Sequence, residues 1–161
     1  MNEANTKKLY TDFPRLYRDA IMNKGCMKWG FECNDGWFDL VYKLSGDIEA
    51  EATALGIDRA SDAWPLARQV KEKFGTLKFY CAAGEERDES DKSVMGLEVV
   101  GQLVSFRPVP NVESIHALIQ AAEELSATIC EDCGCPGTLR GKSYISTLCD
   151  ECEAKRKTNV A

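Results

Sequence analysis

The chain carries Cys130-Glu131-Asp132-Cys133, fifteen intervening residues, and then Cys149-Asp150-Glu151-Cys152. Each Cys-x-x-Cys pair can turn two thiolates toward one ion, and two pairs close a tetrahedron with sulfur at about 2.3 Å from the metal. Gly134 follows the first pair, where a tight knuckle calls for a positive φ. The second pair opens the helix-like run Cys152–Lys157, so Cys149 and Cys152 fall near a helix N-terminus, whose dipole favours anionic sulfur. Between the pairs, Gly137–Thr147 has the length of a β-hairpin turning at Gly141-Lys142, with Tyr144 and Ile145 as strand residues. Knuckle, hairpin and helix in that order predict a treble-clef-like zinc finger. Cys130, Cys133, Cys149 and Cys152 would hold one structural Zn2+ with no position left for water. Iron or an iron–sulfur cluster stays open on spacing alone. Cys135, beyond the knuckle glycine, reads as a spare thiol. A four-thiolate zinc centre is formally dianionic, and Arg140, Lys142, Lys155, Arg156 and Lys157 are placed to offset it.

The preceding residues have the patterning of a folded body. Asp12-Phe13-Pro14 predicts a helix start, with Phe13, Leu16, Tyr17 and Ile21 at helical spacing. Gly25–Gly30 is a break. Asn34 and Asp35 offer capping oxygens to a longer helix whose stripe is Trp37, Leu40, Val41, Leu44, Ile48 and Leu55, ended by Gly56. The period then changes. Ala67–Cys81 alternates on both sides of Gly75 and predicts a hairpin turning at Phe74–Thr76, with Val70, Leu77 and Phe79 facing the long helix. Arg68, Lys71, Lys73 and Lys78 make this hairpin locally basic. That reads as a solvated face protected against edge pairing, or as a partner-binding strip with Trp64 or Tyr80 beside it.

Gly84–Ser93 reads as an acid-rich loop, and Val94–Phe106 fits strand or helix because of its glycines. Asn111 would cap a helix with Ile115, Leu118, Ile119, Ala122, Leu125 and Ile129 on one face. That helix leads straight into Cys130. The expected organisation is an α+β body over 1–128, with helices packed on a small antiparallel hairpin or sheet. A zinc finger over 129–161 is rigidly joined to it through the 111–129 helix.

Charge and missing motifs narrow the function. The net charge is −6. From residue 130 onward acids and bases balance at five each, so the whole excess lies in the body. A chain built chiefly to neutralise phosphates would be basic. His116 is the one histidine and lies off the apolar stripe, where a surface role is expected instead of a catalytic base. The phosphate-cradling and nucleophile-elbow motifs are absent from the sequence. Cys26, Cys33, Cys81 and His116 have no spacing that calls for a second metal site, and buried free thiols are the expectation there. No apolar run approaches the roughly 20 residues of a bilayer span, and the first residues lack an apolar leader-like segment. A reducing cytosol and unpaired thiols are therefore expected.

Two resemblances add to this. Cys130-Glu131-Asp132-Cys133-Gly134 with Leu148-Cys149-Asp150-Glu151-Cys152 is similar to the zinc finger of the DksA/TraR proteins, which bind bacterial RNA polymerase. It covers about residues 130–157. Leu55 stands where that family's acidic helical tip has its first Asp, ahead of Asp58 and Ala60. Over most of the chain, Glu32–Leu40, Gln69–Tyr80 and the two cysteine pairs resemble a set of small phage and prophage proteins. That resemblance implies a bacterial cytoplasm and a host-protein target. The expected function is a non-catalytic accessory or inhibitory protein that docks on a host protein such as RNA polymerase or a defence enzyme. Nucleic-acid binding through Arg140, Lys142, Lys155–Lys157 and Tyr144 is the first rival, and an enzyme with an unrecognised site the second.

Overall fold

The computed structural model describes residues 1–82, 95–99, 102–106, 112–141 and 144–158. The expected loop 84–93, the Asn111 cap and Lys142 lie outside them. The fold is α+β. Helices α1 (Glu3–Asp12), α2 (Arg18–Ile21) and α3 (Phe38–Ala54) precede a hairpin of β1 (Leu66–Lys73) and β2 (Thr76–Ala82). A second hairpin, β3 (Met95–Val99) with β4 (Gln102–Phe106), precedes α4 (Glu113–Ser126). The chain then forms a short antiparallel pair, β5 (Thr138–Arg140) with β6 (Ser146–Leu148), and α5 (Asp150–Thr158).

The first helix corrects the expectation for Asp12-Phe13-Pro14. A helix ends there instead of starting. Asn2 is its N-cap, accepting from the Asn5 amide at 2.8 Å. Its residues are mostly polar, so it carries no apolar stripe to announce it. Phe13, Leu16 and Tyr17 are buried as expected, but from the turn that follows. Only the four residues of α2 are helical, and Ile21 is exposed.

The long helix is the packing element that its stripe predicts. Leu40, Val41, Leu44 and Ile48 are buried, but the stripe ends at Ala52, because Leu55 is the C-cap and half of it meets solvent. α3 packs on α4, and α4 on β2. Val70, Leu77 and Phe79 fill the space between helices and hairpin. On α4, Ile115 and Ala122 are buried and Leu118 and Ile119 pack against the core, whereas Leu125 is exposed.

A two-stranded sheet has two open edges, and both are closed here. Along β2, the Leu77 amide donates to Ser126 Oγ at 2.8 Å and the Phe79 amide to Glu123 Oε1 at 3.0 Å, both acceptors from α4. Along β1, Glu32 donates to the Val70 carbonyl and accepts from the Glu72 amide, each at 2.9 Å, while the Ala67 amide reaches the Leu16 carbonyl. The 31–37 segment is thereby fixed against the hairpin and leads Trp37 into the core, where it is fully buried.

Candidate metal centre

α4 hands the chain to the first cysteine pair through a tight turn. The Gly134 amide donates to the Cys130 carbonyl at 2.8 Å, and the Cys130 amide to the Cys135 carbonyl at 2.7 Å. Gly134 has φ 78°, the left-handed conformation expected of it. The knuckle is pinned to the hairpin by the Glu131 amide, which donates to the Thr147 carbonyl at 2.9 Å. Cys149 immediately precedes α5 and Cys152 lies in its first turn. The expected strand residues Tyr144 and Ile145 stand just ahead of β6, which begins at Ser146.

These elements bring the four predicted sulfurs together. The Sγ atoms of Cys130, Cys133, Cys149 and Cys152 all lie within 4.8 Å of one another. Cys133 Sγ and Cys149 Sγ are 3.7 Å apart. That is far beyond a disulfide bond, and close to the edge of about 3.8 Å that a tetrahedron with 2.3 Å zinc–sulfur bonds would have. Cys130 and Cys152 are buried, Cys149 half-buried and Cys133 exposed. The Cys152 backbone N–H, against the opposing effect of desolvation, lowers the Cys149 thiol to about 7, whereas burial pushes Cys152 up to about 11, against the expectation for a cysteine at a helix start. Helix-start amides therefore favour a thiolate at that sulfur. The donor set fits one ion held by sulfur alone. Exposed Cys135 stands outside it.

Two guanidinium groups brace the cluster. Arg156 of α5 reaches across to the first pair, donating from Nε to Asp132 Oδ2 at 2.8 Å and from Nη2 to Asp132 Oδ1, with Nη1 on Ser146 Oγ at 3.1 Å. Although part burial works against ionisation of Asp132, Arg156 and then Asn34 hold it below the usual carboxylate range. Arg140 of β5 donates to the Leu148 carbonyl at 2.9 Å, to Glu153 Oε2 at 2.6 Å and to Asp150 Oδ1 at 2.5 Å. Lys157 is also paired with Glu153, at 2.9 Å. Between these groups lies a cleft of about 350 Å³ lined by Arg140, Tyr144, Leu148, Glu153 and Arg156 among others. Its arginines already face carboxylates of the same module.

The body meets the knuckle through Asn34–Trp37, where the Asn34 and Asp35 side chains do not cap the long helix as expected but turn to the knuckle and to α1. The Gly36 amide donates to the Glu131 carbonyl at 2.8 Å. The Asn34 amide donates to Glu131 Oε1 at 3.2 Å and Asn34 Nδ2 to Asp132 Oδ1 at 2.8 Å. Trp37 Nε1 donates to the Ile129 carbonyl at 2.8 Å. Burial raises the pKa of Glu131, against the opposing pull of the Asn34 amide. The signal available in the sequence was the polar pair Glu131-Asp132 inside the chelating motif, together with a Gly placed directly before a Trp.

The remaining predicted residues are dispersed. Arg68 pairs with Asp19 at 2.5 Å and Lys78 with Glu123 at 2.6 Å. Lys71 lies over the Tyr80 ring and Lys73 over the Phe74 ring, each at 5.4 Å from the centroid. Trp64 is buried and so takes no part in a surface strip. Tyr144 is exposed beside the finger hairpin. His116 is exposed on α4. Cys33 and Cys81 are buried core thiols and Cys26 is half-buried. Among the described residues, the four finger cysteines form the one cluster suited to a metal, so Cys26, Cys33, Cys81 and His116 do not assemble another. No described helix is long and apolar enough to cross a membrane. The chain matches no family model, no curated protein and no solved structure.

Proposed function

We propose that Cys130, Cys133, Cys149 and Cys152 hold one structural zinc ion in a treble-clef-like finger, and that the chain works by docking on a host protein in a bacterial cytoplasm. The observation that carries the structural reading is the mutual approach of the four sulfurs within 4.8 Å. Four thiolates complete a tetrahedral shell, so such an ion supplies shape and folding energy in place of a Lewis-acid site. The order knuckle, β5–β6 hairpin, α5 supports the treble-clef assignment. A tetrahedral set of thiolates suits zinc and iron alike, and zinc is proposed because an ion that only holds shape needs no redox change.

Docking is favoured over nucleic-acid binding by the state of three of the finger's cations. Arg140 is committed to Asp150 and Glu153, Arg156 to Asp132, and Lys157 to Glu153. Phosphate binding there would have to break those pairs, in a chain of net charge −6. RNA polymerase is the proposed kind of target on the strength of the finger's resemblance to DksA/TraR proteins, and a defence enzyme on that of the wider resemblance to phage and prophage proteins.

Elemental analysis of the purified chain should return one zinc per molecule. Affinity purification of tagged full-length protein from nuclease-treated bacterial cells should recover a host protein in near-stoichiometric amount. Recovery of nucleic acid alone from untreated cells, with gel shifts that weaken steeply with salt, would establish the nucleic-acid reading in its place.

A further inference from the structure

The β1–β2 hairpin turns on Phe74-Gly75, with φ of 55° and 78°. Two-residue turns with both φ values positive favour Asn-Gly, because the left-handed backbone crowds any Cβ and asparagine offsets that cost with a local side-chain hydrogen bond. A phenylalanine occupies the place where asparagine fits best, and its ring is 72% exposed. The core gains nothing from that ring. The tip beneath it is nonetheless held firmly: the Gly75 amide donates to Glu72 Oε1 at 2.5 Å, and its carbonyl accepts from Thr147 Oγ1 at 2.6 Å. Leu139 of the finger, 52% exposed, closes on Gly75 so tightly that a Cβ there would lie 2.4 Å from its Cδ2. Two apolar side chains thus flank Gly75, at the seam between body and finger.

Among the strand residues nearest this tip, the Glu72 carboxylate is held by the Gly75 amide, and the other charges are Lys71, Lys73 and Lys78. Lys71 stands directly opposite Lys78 in the strand register, an arrangement that costs stability. Glu123 matches Lys78. Among the described residues, Lys71 and Lys73 meet aromatic rings and no carboxylate. A strained, exposed aromatic and two ammonium groups that meet no carboxylate among the described residues therefore share one rigid hairpin end on an acidic chain.

We propose that this tip is the docking anchor: Phe74, with Leu139 beside it, enters an apolar pocket on a partner protein whose rim carries carboxylates for Lys71 and Lys73. The inference rests on the protein-docking reading above. A preformed aromatic anchor binds without an ordering cost, and buried aromatics dominate interface energetics. A nucleic acid fits less well. Stacking needs open ring faces, whereas Lys73 covers one face of Phe74, and two ammonium groups make few phosphate contacts.

The test places p-benzoylphenylalanine at position 74, and separately at the equally exposed aromatics Trp29 and Tyr144, in the full-length chain irradiated in bacterial cells. Position 74 should give one discrete protein adduct, about tenfold stronger than from position 29. The adduct should vanish with Lys71→Glu plus Lys73→Glu, and its crosslinked peptide should pair apolar residues with carboxylates. Added wild-type chain should compete for the adduct. The Phe74→Asn chain should not, even though its melting temperature equals or exceeds that of the wild type. A fall in melting temperature with Phe74→Asn would overturn the proposal, since the ring would then serve the fold. So would no adduct at 74, an adduct with nucleic acid or a second copy of this chain, or one indifferent to charge reversal. An adduct from position 29 or 144 alone would discard this tip while leaving the docking reading in place.

Discussion

The amide of Gly36 donates to the carbonyl of Glu131 at 2.8 Å, seating the backbone of the body's helix start directly on the cysteine knuckle. There is no room for a side chain between them. A Cβ at position 36 would lie 2.2 Å from the Cys130 carbonyl oxygen, 2.5 Å from the Gly134 nitrogen and 2.6 Å from the Glu131 carbonyl oxygen. Gly36→Ala must therefore push knuckle and body apart. A loss of about 1–3 kcal/mol is expected, in line with other overpacked buried contacts. Zinc affinity should fall with it. Denaturant unfolding and a competition titration against a chromophoric chelator would measure the two effects. An unchanged Gly36→Ala protein would mean that the knuckle does not bear on the body.

Metal removal follows from the same contact. Asn34, Gly36 and Trp37 all bond to residues 129–132, and Thr147 Oγ1 bonds to Gly75. An ion that orders the knuckle therefore also supports the body's hairpin and α3. Chelation of zinc should lower the melting temperature of the whole chain and perturb the near-ultraviolet signal of Trp37, with the finger and body unfolding together. A chelated protein whose body melts as before, beside a separately disordered finger, would show two independent units.

Trp37 offers a narrower test. Its ring is fully buried and its Nε1 satisfies the Ile129 carbonyl at 2.8 Å, one residue before the first ligand. Trp37→Phe keeps most of the apolar contact but deprives that carbonyl of its donor. The expected cost is about 1–3 kcal/mol, the usual penalty for an orphaned buried polar group plus a small void. Urea unfolding would read it.

How far the sequence revealed this arrangement depended on the range of the interaction. The convergence of the four cysteines was legible because thiolate chemistry and Cys-x-x-Cys spacing act within a few residues. The α3 stripe and the β1–β2 turn were legible through local period and turn chemistry. α1 was not, because ten mostly polar residues capped by Asn2 carry no apolar period. Leu55 and Leu125 matched their stripes and yet face solvent, since periodicity does not say where a neighbouring element stops. The docking of Asn34–Trp37 onto Glu131 and Asp132 joins residues nearly a hundred positions apart. Only the folded backbone places them together.

The thiols outside the finger give the last expectation, and its pH dependence has a definite sign. Burial pushes Cys33 up to about 12 and Cys81 likewise up to about 12. In the unfolded chain a thiol ionises near 8.5. These two groups therefore add stability that is fully present below about pH 8.5 and lost as pH rises toward 12, because the unfolded chain sheds the protons first. Stability should fall over that range, and a Cys33→Ala or Cys81→Ala chain should show a shallower fall from a lower starting point. The same burial governs reactivity. In native protein at pH 8, iodoacetamide should modify exposed Cys135 and half-buried Cys26 while leaving Cys33 and Cys81 untouched. The four finger thiols should join the reactive set only after chelation, because metal-bound sulfur is withheld from the reagent. Mass spectrometry of tryptic peptides would assign each site. Rapid native labelling of all four finger cysteines would mean that their sulfurs hold no ion, and modification of Cys33 or Cys81 at pH 8 would mean that the body opens where its core is drawn closed.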